Sequence, residues 1–350
     1  MRGCLWLGVA LLVLACGPRA APATDGASPA AAPGAGSASP AAALPPAPVA
    51  MRFGLNTTGP QAAPAWIAKD EGFFAKYGID PELIGMQSSA QLAPALIAGE
   101  LPIALSAAAG IVNSALAGSD LVLLGGYSNH LVFWFYSRPE FTSVQELRGK
   151  RIAVTRRGSA TDLATDLVLA RNGLDPERDV IRLQLGGSPE KLAALFSGAI
   201  DATLLATDRF IADEQGMRML VDVGDYNYPL VLQGIAASRG WIASNEDLTR
   251  RTLQALAEGV AFAHQQKERT KAIIAKYTAT EDPRMLEQMY TLIVPRWERT
   301  LHVPPDALRN ELAALADDVP AARDARPEQF LDTRFVDELD RAGFFQQLYQ

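Results

Sequence analysis

The strongest constraint on the fold is a rhythm across residues 148–210, RGKRIAVTRRGSATDLATDLVLARNGLDPERDVIRLQLGGSPEKLAALFSGAIDATLLATDRF. It reads as strand, polar loop, helix, strand, loop, helix, strand, loop. Residues 151–155 form a short β-branched run that stops at Arg156-Arg157-Gly158. Ser159 stands three residues before Asp162, a capping-box-like pair able to satisfy free N–H groups at a helix start. Leu163, Leu167 and Ala170 then recur at i, i+4 and i+7, one apolar helix face. Asn172-Gly173 ends that helix, because glycine takes the left-handed conformation without a Cβ penalty. Ser188-Pro189 is expected to open the next helix as N-cap and first residue, Gly198 to close it, and 200–205 to be the following strand. Such alternation predicts a parallel sheet with helices on its faces.

An earlier stretch repeats the pattern. KYGIDPE at 76–82 parallels RNGLDPE at 171–177, LAPAL at 92–96 parallels LAALF at 192–196, and 103–106 parallels 203–206. Two halves with one rhythm predict an α/β fold of two doubly wound lobes. Lobes facing across a cleft are a usual place for a small molecule.

From residue 51 the expected order is a strand at 51–56, a helix through Trp66, Ile67, Phe73 and Phe74, and a strand at 79–86. A helix at 90–98, a strand at 102–105, a helix to Leu116 and a strand at 121–125 follow. The apolar runs 131–138 and 229–238 read as the two connections between lobes, the hinge strands that let a cleft close. The expected division is 51–136 plus 236–350 for the first lobe and 137–235 for the second. C-terminal helices beyond 245 are expected to pack on the first lobe.

In doubly wound sheets ligand loops lie at the carboxyl ends of the strands. Polar loops fall at those ends in both halves: 56–58, 87–89, 106–107, 156–161, 186–188 and 207–208. Each Ser, Thr or Asn there either caps a helix or serves a ligand; recurrence in both halves favours a shared site. Helix N-termini suit an anionic head group. Arg157 is expected to be solvated, although it would add positive charge if it faced the cleft. Asp208 would suit an amine instead. Trp66, Trp134, Tyr226 and Tyr228 either stack on a ring-bearing solute or pack in the core, and for Trp134 and Tyr136 packing is the favoured reading.

The charge balance of −7 argues against a nucleic-acid partner, which would want a basic face. Both cysteines, Cys4 and Cys16, lie in the first 16 residues, so the globular part has no disulfide and no thiolate nucleophile. The three histidines, His130, His264 and His302, are far apart in sequence and supply a zinc site or triad poorly. His264 reads as a surface residue and His302 as a loop residue without a partner. No metal or cofactor is expected.

Residues 1–16 read as an export signal, with Arg2 followed by an apolar core at 5–15. Val13-Leu14-Ala15-Cys16 resembles a bacterial lipobox, in which Cys16 is lipidated. It departs from that pattern at Leu14, and the alternative is an ordinary secretory peptide. Residues 17–50 are almost all Ala, Pro, Gly and Ser, and read as a disordered tether.

Four stretches carry a family resemblance: WIAKDEGFFAKYGID at 66–80, LRGKRIAV with GSA at 147–160, GAIDATLLATD at 198–208, and LAEGVAFAHQQKERTKAIIAKYT at 256–278. In these the chain resembles the periplasmic solute-binding proteins of ABC importers, of the nitrate, sulfonate, taurine and thiamine-precursor type. The resemblance implies the type II periplasmic binding fold, with C-terminal helices on the first lobe. It implies a monomeric, non-enzymatic receptor, exported and anchored by lipid, that delivers a small solute to a permease and ATPase. Carried onto this chain, the ligand residues are Asn56, Thr57 and Thr58; Gln87, Ser88 and Ser89; Ser106; Gly158, Ser159, Ala160 and Thr161; and Thr207 and Asp208. The competing functions are synthesis or binding of a thiamine pyrimidine precursor, and a solute-sensing lipoprotein.

Overall fold

The computed structural model describes residues 48–206, 208–316 and 319–350. Cys16, Thr207 and the expected leader lie outside the described residues, as does nearly all of the expected tether.

The first half runs β1 (Val49–Leu55), α1 (Ala63–Asp70), α2 (Phe73–Lys76), β2 (Ile79–Gly85), α3 (Ser89–Ile97), β3 (Ile103–Ser106), α4 (Ala108–Leu116) and β4 (Leu121–His130). The second runs β5 (Trp134–Ser137), β6 (Arg151–Val154), α5 (Ala160–Arg171), β7 (Ile181–Gln184), α6 (Ser188–Phe196), β8 (Ala202–Leu205), α7 (Arg209–Glu214) and β9 (Arg218–Asp222). The chain returns along β10 (Pro229–Ser238). It ends in α8 (Arg239–Ser244), α9 (Glu246–Gln265), α10 (Lys267–Thr278), α11 (Pro283–Ile293), α12 (Pro305–Leu315), α13 (Arg334–Arg341) and α14 (Phe344–Leu348).

The two sheets share one topology. The first has the order β2-β1-β3-β10-β4 and the second β7-β6-β8-β5-β9. In each, three parallel strands stand beside a strand that runs antiparallel to both its neighbours: β10 between β3 and β4, and β5 between β8 and β9. The three parallel strands are those the sequence rhythm predicts, and each sheet is completed by a strand that runs against them. The antiparallel strand is the one that has just crossed from the other lobe, so it enters its sheet from the opposite direction.

The run 131–138 is likewise not one strand. β4 ends at His130 in the first sheet, residues 131–133 cross, and β5 begins at Trp134 in the second. The first expected helix is broken in two at Gly72, whose φ of 77° is left-handed. Ser188 is the first residue of α6 and not its cap; that place belongs to Gly187.

The C-terminal helices clothe the first sheet. α9 buries Leu253, Leu256 and Val260 and lies directly on α1, where a Cβ added at Gly259 would stand 2.3 Å from the Pro64 carbonyl oxygen. Two backbones in that contact leave room for hydrogen alone, so this helix pair depends on glycine. Trp66 stacks flat on Tyr277, 4.8 Å between centroids, joining α1 to α10. Buried Glu258 accepts from Lys76 Nζ at 2.7 Å and from Tyr77 Oη, fastening α9 to α2. His302 meets Thr300 Oγ1 at 3.2 Å and the Asp337 carboxylate at 3.4 Å, so it does have partners. His264 is half-buried, its ring edge-on to Tyr349, and burial pushes its pKa down. It is not a surface residue.

Candidate functional site

A cavity of about 570 Å³ lies between the two sheets. From the first sheet come Asn56, Thr57 and Thr58 beyond β1, Gln87, Ser88 and Ser89 beyond β2, and Gln233 of β10. From the second come Thr155, Ser159, Ala160 and Thr161 beyond β6, Gly187 to Lys191 beyond β7, and Asp208 beyond β8. The carboxyl ends of the parallel strands thus converge, as the topology dictates.

Two expected residues are not in this wall. Ser106 is fully buried at the end of β3, and its hydroxyl donates to the Ala107 carbonyl at 3.1 Å. Gly158, with φ of 72°, faces Asn113 of α4, where a Cβ would come within 2.9 Å of Nδ2, and its N–H donates to Asp162 Oδ2 at 2.9 Å. Its role is to turn the chain into α5. The four residues left open between ring stacking and core packing also lie elsewhere. Trp66 packs on Tyr277, Trp134 donates to Asp222 at 2.8 Å, and Tyr226 and Tyr228 flank the Arg171 guanidinium. The aromatic side chains that do reach the cavity are Phe133 and Tyr277. Arg157 pairs with Glu177 at 2.5 Å, outside the cavity.

Capping and exposure to the cavity are not alternatives here. Ser88 Oγ accepts from Gln91 N at 3.2 Å as the cap of α3, and Ser159 Oγ accepts from Asp162 N at 3.4 Å as the cap of α5. Thr57 Oγ1 accepts from Gly59 N, and Thr161 Oγ1 from Thr155 N, each at 3.0 Å. A hydroxyl that already accepts a backbone N–H keeps its own proton to donate. Ser159 Oγ and Thr161 Oγ1 lie 3.0 Å apart, so one of their two protons is spent between them; Ser88, Thr57 and the other member of that pair keep theirs as oriented donors. Behind it, Asp162 also takes Arg182, a guanidinium only 2% exposed, at 2.6 Å. Arg182 bonds Asp166 as well, which ties the first turns of α5 to β7.

On the opposite wall, Tyr127 Oη donates to the Gln61 carbonyl at 2.6 Å, holding the turn that follows Thr58. Gly110 of α4 lies against Ser89, and a Cβ there would come within 2.5 Å of the Ser89 carbonyl carbon. The lobes touch across the mouth. Gln87 Nε2 donates to Glu190 Oε1 at 3.3 Å, and the Gln87 side chain lies over Gly186, where a Cβ would meet it at 2.8 Å.

Two contributions escape a reading of the sequence. Tyr277 and Thr278 of α10, Thr280, and Met285 and Met289 of α11 close one side of the cavity. The i, i+4 spacing of the two methionines marks a helix face but not what it faces. The other contribution is Lys191, 2% exposed, whose Nζ donates to the Leu204 carbonyl at 2.7 Å. Burial pushes its pKa from 10.5 down to about 8, opposed by the charges of Asp208 and Glu190. In the sequence it looks like any lysine in the first turn of an amphipathic helix. Among the described residues no cluster of metal-ligating side chains is present and no helix is long and apolar enough to cross a membrane.

Two sheets of one topology facing across a polar cavity, with two crossing connections, define the periplasmic binding protein fold. The alkanesulfonate-binding protein SsuA from Xanthomonas axonopodis pv. citri, solved with MOPS bound, is 18% identical with a TM-score of 0.67, over 79% of this chain and 94% of that one. The periplasmic aliphatic sulphonate binding protein SsuA from Escherichia coli is 20% identical with a TM-score of 0.62, over 83% and 92%. The periplasmic nitrate-binding protein NrtA from Synechocystis PCC 6803 is 14% identical with a TM-score of 0.65, over 84% and 89%. Identities this low show likeness of fold. No curated protein matches the chain. The NMT1/THI5 like family model matches residues 59–270, and the chain belongs to that family.

Proposed function

We propose that this chain is the exported solute receptor of an ABC importer. It catches one small polar solute by closing its lobes and hands it to a permease worked by an ATPase, without chemical change. One observation carries the reading: loops from the carboxyl ends of both sheets meet on a single cavity of about 570 Å³, a volume suited to a small molecule. Asn56, Thr57, Thr58, Gln87, Ser88, Ser89, Ser159, Ala160, Thr161 and Asp208 are its ligand residues. Hydroxyls committed to donation favour an acceptor-rich head group, such as a sulfonate or nitrate. The sulfonate and nitrate relatives of this fold support the same class. Asp208 would take an amine, should the solute carry one.

The receptor works as a monomer, tethered by residues 17–50 to a lipid on Cys16. The test is the double variant Ser88→Ala, Ser159→Ala in a thermal-shift screen of sulfonates, nitrate, pyrimidines and amino acids. A ligand that raises the melting point of the parent without turnover, and does so less in the variant, is the expected result. Unchanged affinity would reduce these serines to helix caps, and a converted ligand would make the chain an enzyme.

A further inference from the structure

We infer that Lys191 is the residue that reads an anionic solute in this cavity, and that capture of the anion is coupled to retention of the Nζ proton. The inference rests on the receptor reading above and adds the charge requirement and its pH dependence.

Lysines on a helix usually lay their stem on the surface and keep the ammonium in water. Lys191 does the reverse. It stands in the first turn of α6, is 2% exposed, and yet belongs to the cavity wall. Its ammonium has three donors, and the described residues give it one hydrogen-bond acceptor, the Leu204 carbonyl. A buried ammonium without a paired anion is costly, so such groups are found with a counter-charge or lose the proton.

The ionisable groups that face it are few. Glu190, on the same helix, is exposed and hydrogen-bonded to Gln87 across the mouth. Asp208, at the head of α7, acts on Lys191 through space. Tyr277 is the remaining ionisable side chain in the described wall. Its hydroxyl donates to Asp70 Oδ1 at 2.9 Å, and burial pushes its pKa up to about 12, so it stays neutral. The lysine is therefore the one cation of the described wall, and with a pKa near 8 it keeps its proton at pH 7 and loses most of it by pH 9. An anion docking beside Nζ favours the charged form. A solute that needs the protonated form binds in proportion to the fraction that carries it.

The experiment is isothermal titration of the exported chain with ethanesulfonate, with nitrate and with neutral ethanesulfonamide at pH 7 and pH 9. The parent is compared with Lys191→Met and Lys191→Gln, and near-UV circular dichroism checks each fold. Affinity for at least one anion should weaken about tenfold from pH 7 to pH 9, following the protonated fraction. Lys191→Met should weaken that anion at least about tenfold at pH 7 and abolish the pH slope; Lys191→Gln should do the same. The neutral amide should show no slope. An anion that binds both variants as it binds the parent, or binds equally at both pH values, overturns the inference and leaves the receptor standing. So does a parent that takes neither anion but retains a neutral solute in native mass spectrometry. If the parent holds no solute of any kind and small-angle scattering shows no closure, the receptor reading fails and this inference falls with it.

Discussion

Lys191→Met also makes a prediction about stability, and it runs opposite to the effect on binding. The folded chain holds this amine at a pKa of about 8 against the ordinary 10.5, because burial disfavours the charge. At about 1.4 kcal/mol for each tenfold change, the charged lysine costs the native state about 3 kcal/mol at pH 7. The sign follows from proton counting. Between pH 8 and 10.5 the unfolded chain binds the proton more strongly, so stability rises with pH through that window, and below pH 8 the whole cost is present. Methionine keeps an unbranched apolar stem of similar length but forfeits the bond to the Leu204 carbonyl, a loss of about 1 kcal/mol. The variant should gain about 2 kcal/mol at pH 7, and the gain should vanish near pH 10. Guanidinium unfolding of the solute-free protein at both pH values measures it. A variant less stable than its parent at pH 7, or a difference that does not change with pH, would refute the argument that Lys191 is held charged against its surroundings for the sake of a ligand.

Other perturbations follow from the same geometry. Glu311 of α12 is 2% exposed, and burial pushes its carboxyl from 4.5 up to about 8. Parent stability should therefore fall as pH rises from 4.5 to 8, and Glu311→Gln should remove up to about 3 kcal/mol of that loss at pH 7, read by denaturant titration across the window. Arg182→Met strips the partner from buried Asp162 and should cost about 3–5 kcal/mol in the same assay, since it leaves a carboxylate uncompensated. Gly110→Val would push on the Ser89 backbone; a loss of about 1–3 kcal/mol and weakened solute binding are expected together by thermal shift. Gly259→Ala should cost a similar 1–3 kcal/mol by parting α9 from α1, with solute affinity unchanged.

Much of the fold was legible because it is written in local signals. The 148–210 rhythm gave β6, α5, β7, α6 and β8, and the matching of 76–106 with 171–206 reappears as one strand order in two sheets. What local signals do not carry is direction. An apolar run such as 131–138 reads as one strand, and only the position of the other lobe cuts it at 131–133 and reverses β5 against its neighbours. The cavity wall was legible where a polar loop ends a parallel strand, as at Asn56, Ser88 and Ser159, because strand direction aims every such loop at the same edge. The rule failed at Ser106, where the chain after β3 turns so that the hydroxyl bonds the next carbonyl. It had no purchase on Met285, Met289 or Lys191, since a helix face states what it buries but not against what.

The account depends on one molecule being held between the lobes and let go unaltered. Native mass spectrometry of the chain, freshly purified and then denatured, tests this directly. The account predicts a single small molecule bound one to one, lost on denaturation with its mass unchanged, and lost also from the Ser88→Ala, Ser159→Ala variant. Bare protein even after saturation with sulfonates, nitrate, pyrimidines and amino acids, or a released molecule of altered mass, would contradict it.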